Sequence, residues 1–232
     1  MLTKTKTNAT TIGLQGLIGF AGVDEDLSTE AKVEVLGDLE ANGDVKVNAN
    51  SHVELRAVGI QAANVKTSSK ANINIASKVQ SGNKIDVNAH AINNAQIITE
   101  YISKDNIQAG GNQGIGIVGF AGQIVDNTSH ADVTITKDAK LNANKDIGIQ
   151  ALSDNNLIST ATTDLEEKKR GDIGVAVALN MTDFDSHAIV NIDGEIASQA
   201  GNVDILAKDI LHTNQVEANT KIKSEKEPDA KK

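Results

Sequence analysis

Three aspartates recur at one place in the sequence. Asp26, Asp126 and Asp183 each stand five residues before an alanine, Ala31, Ala131 and Ala188, that opens an alternating stretch. At the fourth equivalent position, before Ala71, the residue is Lys66. Carboxylates gathered in this way have two chemistries. Two carboxyl groups about 5 to 9.5 Å apart cleave glycosidic bonds. Carboxylate oxygens also ligate calcium.

Two histidines recur as well. His130 and His187 both stand in a Ser-His-Ala context, and imidazole is a zinc ligand. A third feature is Gly114-Ile115-Gly116-Ile117-Val118-Gly119, which satisfies the G-x-G-x-x-G pattern of dinucleotide-binding turns. That pattern needs a following helix, but the next periodic segment, DVTITKDAKL, alternates like a strand. The stretch also has counterparts at the same offset in other repeats, GLIGFAG, AVGIQAA and GVAVALN. It therefore reads as a wall strand whose small residues let another group approach closely. No nucleophile elbow, H-E-x-x-H motif or calcium nonapeptide is present, and there is no cysteine for a thiolate site. No cofactor is expected.

The elements that must carry these residues follow from composition and periodicity. Aromatic residues make up 2% of the chain against 39% hydrophobic, so the core is built from small and β-branched side chains, as suits strands. The single proline, Pro228, leaves the rest free to form continuous ladders. A net charge of -9 argues against a nucleic-acid partner. No run of about 20 apolar residues is present to cross a bilayer as a helix.

Four stretches align, at residues 31–49, 71–89, 131–151 and 188–207. Each reads Ala-x-β-x-β, a polar turn, an aliphatic-x-small pair, a second turn, then β-x-β-x-Ala. The period of two buries one face of each strand. In the first unit the inward set is Ala31, Val33, Val35, Leu39, Ala41, Val45, Val47 and Ala49. In the second it is Ala71, Ile73, Ile75, Val79, Ser81, Ile85, Val87 and Ala89.

The fold expected is all-β: a single-stranded parallel β-helix with about 20 residues and three short strands per coil. Each coil stacks on its neighbours in the chain. Two longer side loops are expected at 103–113 and 164–172. The repeat domain is placed at 12–222, after an N-terminal flank at 1–11 and before a polar tail at 223–232. Eight to ten coils spaced about 4.8 Å apart would form a rod roughly 40 to 50 Å long. On that spacing, equivalent aspartates lie two coils and about 10 Å apart, as do His130 and His187. Asp26, Asp126 and Asp183 then read chiefly as turn residues and as the cation-site candidates of the chain, and the histidines as exposed turn residues.

Units such as AKVEVLGDLEANGDVKVNA and GDIGVAVALNMTDFDSHAIVNIDGEIASQAGNVDILA resemble the repeat shaft of filamentous-haemagglutinin-like exoproteins, with leukotoxin-family filamentous adhesins the nearest in style. The likeness covers residues from about 12 to 222. It implies a right-handed β-helical fibre, part of a very large bacterial protein that is secreted through an outer-membrane partner pore and displayed at the cell surface. It also implies adhesion to a host-cell surface protein or glycan, or presentation of a toxin tip, with no active site in the shaft. The start MLTKTKTNATTIG has no apolar core of a signal peptide, so an internal segment is expected. A polysaccharide-acting β-helical enzyme is the alternative, and it requires acidic and basic side chains converging in a groove on one sheet face.

Overall fold

A computed structural model describes residues 2–14, 20–103, 118–167 and 175–224. Twelve strands and no helix are present among them: β1 Leu2–Leu14, β2 Phe20–Val35, β3 Leu39–Ala41, β4 Val45–Ile75, β5 Lys78–Ser81, β6 Ile85–Ser103, β7 Val118–Ile135, β8 Lys140–Ala143, β9 Ile147–Glu167, β10 Val175–Ile192, β11 Glu195–Ser198 and β12 Val203–Ser224. They form a parallel β-helix with three faces. The first face stacks β2, the second half of β4, β7 and β10. The second, narrow face stacks β3, β5, β8 and β11. The third stacks the first half of β4, β6, β9 and β12.

The register corrects the expected coil length. Ala31 pairs with Ala71, Ala71 with Ala131 and Ala131 with Ala188. The first step is thus 40 residues rather than about 20, and the aligned units sit in adjacent coils. Four coils stack over about 15 Å at the usual strand spacing, not eight to ten over 40 to 50 Å. Each aligned unit is only the end of one long strand, the short strand, and the start of another. The segments between units close the coil. Two of the three strands per coil are long, so the cross-section is flattened: a 16-residue strand such as β2 spans about 50 Å.

The strict alternation of the repeats does what it predicts. All eight inward residues of the second unit are buried. The first unit belongs to an end coil, so Val33, Val35 and Ala41 are only partly buried and Leu39 is exposed. The apolar core lies where the two long faces converge on the narrow one, around Ile75, Ile85, Ile135, Leu141, Ile147 and Ile149. A second apolar cluster, including Val65, Ile97, Val125 and Leu157, lies further out.

Between the two clusters the interior is polar. Ser51 Oγ donates to Thr29 O at 3.0 Å, and Ser69 Oγ donates to Ser51 Oγ at 2.9 Å. Two coils on from Ser51, Ser153 Oγ donates to Ser129 O at 3.0 Å and lies 2.9 Å from Ser186 Oγ. Asn127 Nδ2 donates to Thr67 Oγ1, and Asn155 Nδ2 to Asn127 Oδ1. Further out, beside Val125 of the second cluster, Gln123 donates from Nε2 to Ser159 Oγ at 2.7 Å and accepts at Oε1 from Thr99 Oγ1. Such buried groups are tolerated because they pair across the two long faces.

In the first complete coil the chain passes from the third face to the first without leaving strand β4. Register with β6 ends at Ile60 and register with β2 begins at Gln61. Gln61 takes a left-handed φ of 74° at that corner. The turns at the narrow face are laced by carboxylates from the coil before. Asp38 Oδ1 accepts from Lys78 N, Asp146 Oδ1 accepts from Asn202 N, and Asp44 accepts from the Asn83 side chain. The ion pair Lys84–Asp146, at 2.7 Å, lies in the same column. It raises the Lys84 ammonium above its ordinary 10.5, first by hydrogen bonding and then by charge. It lowers the Asp146 carboxyl below 3.8, mainly by that hydrogen bond.

Three boundaries differ from those expected. Residues 2–11 of the expected flank belong to β1, which pairs antiparallel with β2 and covers that edge of the first face. The loop expected from Asp164 starts later, because Asp164–Glu167 still pair with Lys221–Ser224 in β12. The same pairing takes Lys223 and Ser224 out of the expected tail. The remainder of that loop, most of the loop at 103–113, and residues 225–232 lie outside the described residues.

Candidate functional site

The outward residues of the first face form columns, one residue per coil. Their direction follows from the alternation: His130 and His187 precede inward Ala131 and Ala188 by one residue and therefore point out. Asp26, Lys66, Asp126 and Asp183 form one such column. Asp126 and Asp183 are on adjacent strands, so about 4.8 Å separates their backbones rather than the expected 10 Å. The structure does not gather the three aspartates into one site. Lys66 stands between Asp26 and Asp126, and its ammonium pairs with Asp126 Oδ2 at 3.2 Å. Asp26 Oδ1 accepts from Ser28 Oγ at 3.1 Å.

Two residues along, the column reads Ser28, Ser68, Thr128 and Asp185, and two further on, Glu30, Lys70, His130 and His187. Here the structure brings together groups that the spacing of 20 residues per coil had kept apart. His130 and His187 are register partners on β7 and β10. Their rings stack with centroids 3.7 Å apart and planes 20° apart. His130 Nε2 lies 2.8 Å from Asp185 Oδ2. His187 Nε2 lies 3.3 Å from Asp132 Oδ1. The two pairs cross the strands on parallel diagonals: His130 on β7 reaches Asp185, the register partner of Thr128, and Asp132 reaches His187, the register partner of His130. The His130 side chain is the most enclosed of the four, with 16% of its surface exposed, while Asp185 retains 62%.

Beside Asp132 the same face carries a shallow depression of about 500 Å³. Lys32, Asn72, Asn74, Asp132, Thr134 and Asn191 surround its floor, with Ile73 and Ile189 supplying apolar surface. Its lining of amide, hydroxyl, cationic and anionic groups offers hydrogen bonds to a polar ligand. Asp132 belongs to both features.

Gly119, the last glycine of the nucleotide-like motif, and Gly122 three residues on are explained on this face. A Cβ on Gly119 would meet Leu165 Cδ2 at 2.6 Å and the Thr163 and Tyr101 side chains at 2.8 Å, all from the opposite long face. A Cβ on Gly122 would meet the Phe120 ring at 2.6 Å. Gly119 thus admits side chains across the interior, and Gly122 seats an aromatic ring from its own strand. Residues 114–117 lie outside the described residues.

Sequence reasoning passed over the His–Asp cluster although a signal was present. The shared Ser-His-Ala context fixed the two histidines to one register position. Only the coil length was needed to place them side by side. No family model, no curated protein and no solved structure matches this chain.

Proposed function

We propose that this chain is a scaffold segment of a filamentous-haemagglutinin-like bacterial surface protein, serving as a rigid spacer and presenting its outer face to a host-surface protein or glycan. The observation that carries the reading is the stacking of four coils in one register, with the inward positions buried in an apolar core and a hydrogen-bonded polar seam and the outward residues aligned in columns. A binding partner meets a regular lattice of polar groups on a stiff support, which limits the conformational entropy lost on contact. The depression between Lys32, Asn74 and Asn191 supplies the shape for a sugar or an extended polar peptide on that lattice. Export would follow through an outer-membrane partner pore, with folding at the surface coil by coil.

Surface display and contact are tested together. Antibody raised against the chain should label intact source cells, and the purified protein should bind a host glycan or cell-surface array. Substitution of Asn74 and Asn191 by bulky residues should weaken that binding. Labelling only after lysis would defeat the display reading. Cleavage of an acidic glycan would transfer the chain to the polysaccharide-acting class.

A further inference from the structure

We propose that His130, His187 and Asp185 form a binding site for a transition-metal dication of the zinc class, with Asp132 as the residue that orients His187. The site lies on the outer surface of β7 and β10.

The geometry carries the proposal. One donor atom from each of His130, Asp185 and His187 can be chosen so that all three lie within 4.8 Å of one another. Two ligand atoms bonded at about 2.1 Å to one metal stand roughly 3.0 to 3.4 Å apart. The 2.8 Å separation of His130 Nε2 and Asp185 Oδ2 is therefore close to what a shared ion needs. A small rotation of the stacked rings brings a His187 nitrogen toward the same point. Two imidazoles and one carboxylate are the donor set of catalytic-type zinc sites, which leave a fourth position to water or ligand. Copper and nickel accept the same donors.

The surroundings supply what a ligand set requires. Asp132 Oδ1, 3.3 Å from His187 Nε2, is placed to hold the ring's tautomer and direction. Both histidines stand on strands fixed by an unbroken 18-residue register, so little ordering is left to binding. One group opposes the ion: Lys70 occupies the neighbouring rung of the His130 column. Its charge lowers affinity and makes it a useful variant.

The proposal is tested by titrating the full chain with Zn²⁺ in a calorimeter and with Co²⁺ in a spectrophotometer. One Zn²⁺ per chain is expected, with a Co²⁺ absorption band showing nitrogen and oxygen coordination. His130→Gln and His187→Ala should each weaken binding at least about ten-fold, and Asp132→Asn by roughly ten-fold. Lys70→Ala should tighten it. His212→Ala is the control, since His212 pairs with Asp154 on another face at 2.6 Å. Circular dichroism should be unchanged throughout, because every substituted side chain points outward. No saturable binding, or binding that survives the double change His130→Gln and His187→Ala, would overturn the site. So would binding lost only with His212. These readouts do not depend on host contact, so the site stands or falls apart from the scaffold reading.

Discussion

Leu165 reaches across the interior of the coil to within 2.6 Å of where a Cβ on Gly119 would stand. The contact joins β9 to β7, and Thr163 and Tyr101 crowd the same point. Gly119→Ala should therefore overpack the interior and cost about 1 to 3 kcal/mol of unfolding free energy in urea. Gly122→Ala meets only the Phe120 ring, which can swing toward solvent, and should cost less than about 1 kcal/mol. Equal costs at the two positions would contradict this account of the motif.

The polar seam makes a bounded prediction. Ser153 lies in one column with Ser51 and Ala91, so the position already accepts a methyl group in the coil before. Ser153→Ala should lose its bonds to Ser129 and Ser186 and cost about 1 kcal/mol, without the larger penalty of a misfit side chain. The double change with Ser129→Ala should cost less than the sum of the two, because the residues share a bond at 3.0 Å. Denaturant titration of the four proteins gives the coupling directly.

Position along the stack should grade the cost of core changes. Ile149 and Ile205 are register partners in one inward column. Ile149 is fully buried, whereas Ile205 in the last coil is 53% exposed. Ile149→Ala should cost about 2 to 5 kcal/mol. Ile205→Ala should cost a fraction of that, and hydrogen exchange should show β12 opening before β9.

The Lys84–Asp146 pair gives a pH dependence of defined sign. Asp146 titrates below its unfolded value of 3.8, so its contribution is complete above that value and is lost as the pH falls through the folded one. Lys84 titrates above 10.5, so its contribution is complete below 10.5 and is lost as the pH rises through its folded value. The stability difference between wild type and Asp146→Asn should therefore be flat in the neutral range and shrink at both extremes. The pair is exposed, so added salt should also reduce the difference.

The strands and the inward sets were legible because Val and Ile alternate with charged residues in the aligned units. Ala71 through Ala89 are buried residue by residue as that pattern requires. The coil length was not legible, because the pattern loses contrast in the other half of each turn. There the inward positions include Ser51, Thr67, Ser69, Asn93, Gln123 and Asn127, all buried, among the apolar ones. Polar side chains on both faces carry no period of two, so the segments between units read as separate coils or insertions. A coil of about 20 residues kept His130 and His187 two coils apart, when they stack.

The direction of the backbone hydrogen bonds has a mechanical meaning. Bonds between coils run along the stacking axis, so tension on that axis pulls them end-on, while force across a coil loads them in shear. A chain stretched along the stack should therefore peel from an end, one coil at a time. A coil of 40 residues that had occupied about 4.8 Å of length would release roughly 130 Å of slack. Stiff under compression and yielding in steps under tension, such a stack behaves as a load limiter, lengthening many-fold before the backbone itself carries the strain.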